Sequence, residues 1–345
     1  MRTPQPLPAA LVGVPFTPAD ARRHGVPADR LRARDLHHPF HSIHVSVAPS
    51  SLRQLCEAAL PLLPERAFFS HGTAAALLGV PLPAPQPPDG LHVSVEFPRR
   101  PPRGRGMTGH TLRRVSGRMI DGLPVSAPAH VWCQLSGAID REDLVAAGDH
   151  LVGARTRPAL AELEELEALS RELFRTKGAP ARAWALPRIR FGADSRPETL
   201  LRLFLEDRIA DELEVNRPVP IQGTGLTLHP DLSIPTRRIA FEYEGDGHRS
   251  DRRQWHRDIE RRELLEAQGW RVVRVTATDL FADRDAFLAR LVRFVPNLAN
   301  APAKGNIRHE SAGGKRAIRN IRHESAGGKR AIRDIRHESA KPVWR

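Results

Sequence analysis

The chain is poor in cysteine and contains no long apolar run. Its two cysteines, Cys56 and Cys133, are far apart and lack the spacing of paired metal ligands. They argue against a disulfide scaffold and against a zinc site. No apolar stretch approaches the roughly 20 residues that a membrane-spanning helix needs. The N-terminal segment MRTPQPLPAALVGVPFTP is too proline-broken and weakly apolar for a secretory signal. We therefore expect a cytoplasmic protein with no membrane association.

The balance of charge is basic, but the excess is concentrated at one end. The net charge is +13 over 345 residues. Residues 301–345 hold 12 Lys/Arg and 4 Asp/Glu, a net +8, which leaves +5 for the rest of the chain. A basic balance favours an anionic partner. Because the body is only mildly basic, charge alone makes nucleic acid a plausible partner and does not single it out.

The C-terminal part alternates predicted helices and strands in an order that builds a mixed sheet. SRPETLLRLFLEDRIA predicts a helix, and ELEVNRPVPI, LTLHPDLSI and RIAFEYE predict three strands. A helix at DRRQWHRDIERRELLEAQGW, closed by Gly269, precedes the β-branched strand RVVRVTA and a final helix. This αβββαβ order predicts an α/β core, a mixed sheet with flanking helices.

Four acidic residues lie within this pattern. Glu242 and Glu244 end RIAFEYE and, two positions apart in a strand, point to the same face. Asp231 ends another apolar stretch, so a hairpin would bring it beside them, and Glu198 lies in SRPETLL. Gathered carboxylates repel each other unless a cation lies between them, and Mg²⁺ commonly binds one or two carboxylates plus substrate phosphate oxygens. Metal-dependent phosphodiester hydrolysis is therefore the leading hypothesis. The alternative is a set of solvated strand-end charges.

In combination, several segments resemble the PD-(D/E)XK nuclease superfamily. More narrowly, the region from Glu198 to Leu280 is similar to the endonuclease-like domains related to the very-short-patch mismatch-repair endonuclease. The segments that carry the resemblance are SRPETLLR, PDLSIP, FEYEGDGH, DIERRELLEAQGW and VVRVTATDL. They cover about a quarter of the chain, and each one alone is a weak signal. The resemblance implies a restriction-endonuclease-like fold that hydrolyses DNA with Mg²⁺ or Mn²⁺ as cofactor.

The resemblance also implies roles for individual residues. Asp231 and Glu242 would bind the divalent metal, and Glu198 would hold the metal or its waters. Glu244 stands where the superfamily most often has lysine and this subfamily usually has aspartate. A carboxylate there can bind metal or accept a proton, whereas a lysine would stabilise developing charge, so the departure puts catalysis in doubt. His248 would act as general acid or base, or position the phosphate.

DNA contacts are expected from two places in the chain. Arg257 and Arg261 begin the helix after the acidic motif, where they would face DNA phosphates. Near the N-terminus, helix PADARRHG with Thr17 as N-cap, a second helix PADRLRARD and a strand in HPFHSIHVSV follow one another. That order is typical of a winged helix-turn-helix, with Arg30 and Arg34 on its recognition helix. A solvated helix face is the alternative.

The N-terminal motifs PFTPADARRHGVPADRLRARDL and FFSHGTAAALLGVPLP resemble the winged-helix domain of AbiEi-type antitoxins. The resemblance implies DNA binding and autoregulation.

We therefore expect a winged-helix-like α+β region at 1–50, an α+β middle region with a helical connector at 51–180, and the endonuclease-like domain at 190–296. Residues 297–345 are expected to be a disordered basic tail, in which residues 307–345 repeat with a period of 14 (IRHESAGGKRAIRN, then IRHESAGGKRAIRD). It is either a source of nonspecific DNA affinity or a neutral extension.

Two functions follow from these patterns. One is a metal-dependent DNA endonuclease with an N-terminal DNA-binding module. The other is a non-enzymatic, antitoxin-like DNA-binding regulator that carries a degenerate nuclease fold, which the missing lysine favours. An RNA-directed nuclease cannot be separated from the first by residues alone.

Overall fold

The computed structural model describes residues 4–83, 90–114, 116–245 and 252–295, all within one unit that spans Met1–Ala301. The predicted tail and His248 lie outside these residues. The α-helices are α1 Pro18–Arg23, α2 Leu52–Ala59, α3 His71–Leu77, α4 Pro128–Leu135, α5 Arg141–Val152, α6 Leu163–Glu172, α7 Ala179–Ala185, α8 Arg196–Glu206, α9 Arg252–Ala267 and α10 Arg284–Val292. The strands are β1 Phe68–Phe69, β2 Leu91–Glu96, β3 Met107–Leu112, β4 Gly117–Ile120, β5 Leu123–Ser126, β6 Glu214–Val215, β7 Val219–Pro220, β8 Thr227–Leu228, β9 Leu232–Ile234, β10 Ile239–Glu244 and β11 Arg271–Thr276.

The N-terminal segment agrees with the sequence prediction only in its first helix. Thr17 caps α1 in a reciprocal capping box with Asp20. The predicted second helix is wrong, because its residues form a 3₁₀ turn of three residues, Arg30–Arg32. The Asp29 side chain accepts a hydrogen bond from the Arg30 N–H, a local bond that competes with α-helical pairing. The predicted strand in HPFHSIHVSV makes only isolated bridges. The winged helix is therefore not confirmed.

A five-stranded mixed sheet occupies the middle of the chain, with strand order β3-β2-β1-β5-β4. Strands β2 and β3 are parallel, whereas β1 and β2 are antiparallel. The apolar residues of β2 (Leu91, Val93, Val95) are fully buried and pack into a core that α3, α4 and α5 also line. Trp132 of α4 lies in that core and donates its indole N–H to the Leu144 carbonyl at 2.8 Å. Buried apolar area therefore holds these helices on the sheet.

The C-terminal part forms a second mixed sheet, with strand order β11-β10-β9-β6. Strand β10 is parallel to β11 and antiparallel to β9. Its core contains residues of α8, β9, β10, β11 and α10. The predicted α/β mixed sheet with flanking helices is confirmed at this level. Two predicted strands are shorter than expected, because Pro218 and Pro230 interrupt them and leave β7 and β8 as a separate two-stranded ribbon.

Helix α8 lies between the two cores. Eight consecutive residues of this helix, from Glu198 to Leu205, are buried. Leu203 packs into the core around the five-stranded sheet, whereas Leu201 belongs to the core of the C-terminal sheet. Polar contacts also hold it, since Arg202 pairs with Asp149 of α5 at 2.9 Å and both side chains are 1% exposed. Within the described residues, no helix combines the length and apolar character needed to cross a membrane.

Candidate functional site

Asp231 lies at the beginning of β9, beside the end of β10. The register pairs Phe241 with Leu232, so the next residues outward, Glu242 and Asp231, are neighbours across the two strands. The Tyr243 backbone N–H donates to a carboxylate oxygen of Asp231 at 2.8 Å. The Asp231 carbonyl accepts a hydrogen bond from the Asn216 N–H at 3.1 Å. Backbone contacts on both sides therefore fix the position of this carboxyl group.

The surroundings of Asp231 disfavour its ionised form. Burial is the main cause, and the negative charges of Glu198 and Glu242 add to it, so the pKa of Asp231 is raised to about 8. The Tyr243 N–H and the Arg261 guanidinium oppose this rise without cancelling it. These surroundings therefore favour the neutral form of Asp231 unless a cation neutralises the group of acids.

Glu198 reaches this place from the first turn of α8. Ser195 caps the helix and accepts a hydrogen bond from the Glu198 N–H. The Glu198 carboxylate, in a residue only 8% exposed, accepts a hydrogen bond from the Asp194 N–H at 2.9 Å. Burial raises the pKa of Glu198 as well. The negative charge of Glu198 is one of the causes that raise the pKa of Asp231, so an electrostatic effect links these two poorly solvated carboxyl groups.

The two acids of β10 are each paired with an arginine. Arg261 of α9 donates to Glu242 at 2.8 Å and also to the His229 carbonyl. Arg274 of β11 forms an ion pair with Glu244. The predicted common face of Glu242 and Glu244 agrees with the strand alternation, but the neighbours of the two side chains differ. The charge of Glu242 raises the pKa of Asp231, whereas the Glu244 carboxylate pairs with Arg274 on the neighbouring strand β11.

One expectation was that a shared ion would bring the carboxylates of Asp231, Glu242 and Glu244 within a few ångströms of one another. In the described part of the chain, no three acidic side chains place one ligand oxygen each within 4.8 Å of the others. The expected three-carboxylate convergence is therefore absent. The physical reason is that arginines hold Glu242 and Glu244, so their charge is already partly neutralised. The candidate site is therefore centred on Asp231, whose pKa is raised by the charges of Glu198 and Glu242.

The arginines expected to contact DNA have different surroundings. Arg30 is buried at 8% exposure and donates to Asp35 at 2.8 and 2.6 Å and to the Gln5 carbonyl at 2.6 Å. Because these internal partners occupy its guanidinium, the surroundings of Arg30 argue against the predicted contact with DNA. Arg34 and Arg257 are exposed, whereas Arg261 is half-buried on Glu242.

Sequence reasoning missed the two arginine partners of the acidic pair. Arg261 was considered only as a phosphate contact, and Arg274 was not considered. The signal for Arg274 is the strand register, which pairs it with Glu242 and places it diagonally beside Glu244. That register becomes visible only once β10 and β11 are known to be parallel neighbours.

Comparison with known proteins agrees with the C-terminal geometry. Residues 210–295 match the family model REase_MTES_1575, a restriction-endonuclease-like family. The C-terminal domain is therefore restriction-endonuclease-like. A search of curated proteins found no match. Among solved structures, the chain is similar to the crystal structure of the RV2827C protein from Mycobacterium tuberculosis, with 19% identity and a TM-score of 0.38 over 55% of this chain and 76% of that one. A likeness at that score supports no conclusion.

Proposed function

We propose that the C-terminal domain is a Mg²⁺- or Mn²⁺-dependent endonuclease that hydrolyses DNA phosphodiester bonds. The observation that carries the proposal is the buried carboxyl group of Asp231, whose pKa two neighbouring acids help to raise to about 8. A protein gains nothing in stability from such a group, since burial of like charges costs free energy. Groups perturbed in this way occur preferentially at functional sites. The restriction-endonuclease-like match over residues 210–295 supports nuclease chemistry in particular.

The donor set suits a hard divalent cation. Asp231 and Glu242 would hold it, and Glu198 would bind it directly or through its waters. Carboxylate oxygens are the ligands that Mg²⁺ and Mn²⁺ prefer. When bound, such an ion supplies charge stabilisation for the scissile phosphate and activation of the attacking water. The ion would also relieve the repulsion that raises the pKa of Asp231, so we expect binding to release a proton at neutral pH.

The surrounding residues would position and balance this group. The Tyr243 N–H orients the Asp231 carboxylate, and Arg261 holds Glu242 against the body of the protein. Arg274 brings a positive charge to Glu244, the position where the resembled superfamily most often has lysine. We infer that Arg274 substitutes for part of that lysine's electrostatic role toward the phosphate. His248 stays a predicted general acid or base.

The direct test is a nicking assay on supercoiled plasmid with the full-length protein, run with Mg²⁺, with Mn²⁺ and with EDTA. We expect wild-type cleavage only with a divalent cation. Asp231→Asn and Glu242→Gln should each lose about 100-fold or more in rate, with unchanged circular dichroism. Asp285→Asn, an exposed acid on α10, is the matched control. Cleavage that persists in both site variants would contradict the proposal. The same assay on RNA separates a DNA-directed from an RNA-directed nuclease.

A second function has an observation in its favour. Glu242 and Glu244 are both paired with arginines, which is what a site that no longer needs a metal would permit. The alternative is a non-enzymatic, antitoxin-like DNA-binding regulator. It predicts salt-sensitive binding to the protein's own promoter and no metal-dependent nicking by the wild type. A gel-shift titration at low salt beside the nicking assay distinguishes the two functions.

A further inference from the structure

Three histidine side chains meet at one place on the five-stranded sheet, far along the chain from the acidic residues. His71 is the first residue of α3, His92 lies on β2 and His110 lies on β3. The register of the parallel pair sets His92 opposite Thr108, so His110 lies two residues further along on the same face. One ring nitrogen from each of the three histidines lies within 4.8 Å of the other two.

The rings form a stack whose nitrogens face one another. His92 Nδ1 and His110 Nε2 are 2.9 Å apart, and the two rings are within 9° of parallel. The His71 ring lies over that of His110, with centroids 3.8 Å apart. Two imidazole nitrogens bound to one zinc ion at about 2.0–2.1 Å lie about 3.4 Å apart. To become a pair of metal ligands, the two nitrogens would have to move about 0.5 Å further apart, and the rings would have to turn until both lone pairs point at one ion.

A second layer of polar groups fixes His71. Its Nδ1 lies 3.1 Å from the Ser70 hydroxyl, which accepts a hydrogen bond from the buried Ser94 hydroxyl at 2.7 Å. The His71 backbone N–H donates to the Gln134 side-chain oxygen at 2.8 Å. The His71 backbone itself is left-handed, with φ of +48°. Metal-binding histidines commonly use one ring nitrogen for such a second-layer contact, which leaves the other to the metal. The arrangement thus resembles a pre-oriented ligand more than a packing residue.

The surroundings of His71 and His110 disfavour the charged form of their rings. Burial is the main cause that lowers the pKa of His71 to about 3 and the pKa of His110 below its usual value, and the neighbouring histidines lower both further. All three residues are half-buried, so solvent still reaches the cluster. Neutral imidazoles accessible to water are the form that binds transition metals.

We propose that His71, His92 and His110 form a binding site for a zinc-class transition-metal cation. Among the described residues, the cluster offers three imidazole nitrogens and no carboxylate, a donor set that suits such an ion better than Mg²⁺. A water would complete a tetrahedral site. The scarcity of cysteine argues against a thiolate zinc site, but it has no bearing on histidine ligands. A bound ion would tie the start of α3 to β2 and β3. This site is independent of the proposed nuclease site.

The test uses the full-length protein, stripped with EDTA and titrated with Co²⁺ as a spectroscopic substitute for Zn²⁺. We expect one Co²⁺ per chain with the strong visible absorption of tetrahedral nitrogen coordination, displaced on addition of Zn²⁺. His71→Asn and His110→Asn should each weaken binding by at least about tenfold. Zn²⁺ should raise the Tm of the wild type by at least about 3 °C more than it raises the Tm of either variant, because both variants retain the acidic site.

Three control variants distinguish this site from other ligands in the chain. The exposed His37→Asn, a triple variant of the repeat histidines (His309, His323, His337 to Asn) and Asp231→Asn should all retain the tetrahedral absorption. Circular dichroism checks that His71→Asn and His110→Asn are folded, and a folded His92→Asn replaces either one that is not. The proposal is overturned if the wild type gives no tetrahedral signal. It is equally overturned if the signal persists in the folded cluster variants or disappears in the repeat-histidine variant.

Discussion

Asp231 combines a fixed position with an unfavourable environment for its charge. Its carboxyl group is held by the Tyr243 N–H, yet it is buried beside Glu198 and Glu242. Residues at functional sites often lower the stability of the fold, because the chemistry needs them where packing alone would not place them. The free energy of unfolding should therefore respond to this one carboxyl group in a pH-dependent way.

We predict that Asp231→Asn stabilises the metal-free protein at high pH. The folded-state pKa of about 8 lies above the ordinary value of 3.8, so the folded state binds more protons and stability falls as pH rises between these values. In EDTA, the variant should exceed the wild type by about 0.5–2 kcal/mol at pH 9 and by less at pH 5. Urea denaturation at both pH values measures the difference, with Asp285→Asn as control. A gap that does not widen with pH would contradict the assigned environment of Asp231.

Two arginines of the N-terminal segment differ in their surroundings, since Arg30 is buried and Arg34 is exposed. Arg30→Ala removes three hydrogen bonds from a buried guanidinium and should lower the free energy of unfolding by about 1–3 kcal/mol. Arg34→Ala, at an exposed position, should change it by less than about 0.5 kcal/mol. Denaturant titration of both variants tests this. Equal effects would mean that the Asp35 pair does not hold this segment.

Among the elements, the pairing of β10 with β11 determines what surrounds the acidic pair. Because the strands are parallel and in register, Arg274 lies on the face that carries Glu242 and Glu244. We predict that Arg274→Ala lowers the rate of plasmid nicking by about tenfold or more, since it removes the positive charge nearest to Glu244. Arg271→Ala, on the same strand and also exposed, is the matched control. Equal rates in both variants would remove Arg274 from the mechanism.

The elements also show how far the sequence alone reaches. The N-caps Thr17 and Ser195 predicted where helices α1 and α8 begin, and an apolar run predicted strand β10. These features were predictable because their signals lie within a few neighbouring residues. The PADRLRARD segment was predicted as a helix, but the Asp29 carboxylate accepts a hydrogen bond from the Arg30 backbone N–H, a local bond that competes with α-helical pairing.

The candidate sites were predictable to different degrees. Glu242 and Asp231 were predicted as site residues because both lie at strand ends within a recognised order of motifs. The histidine cluster was not found, because its members come from α3, β2 and β3 and share no sequence spacing. A site assembled from separate elements needs the tertiary arrangement before it can be recognised.

At the scale of the whole molecule, the ion pair between Asp149 and Arg202 joins the two cores. We predict that Arg202→Met costs about 3–5 kcal/mol, because it leaves a buried carboxylate without its partner. Asp149→Leu combined with Arg202→Met should cost much less than the sum of the single changes. Glu206→Gln, which alters the more exposed partner of Arg202, should cost under about 1 kcal/mol.

Denaturant titration of the wild type, Asp149→Leu, Arg202→Met and the double variant forms a double-mutant cycle. The single Arg202→Met variant should also nick plasmid more slowly, because α8 carries Glu198. A cycle with no interaction energy would mean that packing alone holds α8 between the cores.

The buried position of α8 limits what can be excised from this protein. Residues 210–295, the portion matched by the restriction-endonuclease-like family, begin after this helix. A fragment limited to them would lack Glu198 and would expose the apolar surface that Leu201 and its neighbours cover. If Asp231, Glu242 and Glu198 are transferred to another scaffold, helix α8 must therefore be transferred with them. The new scaffold must also cover the face of α8 that packs against Asp149.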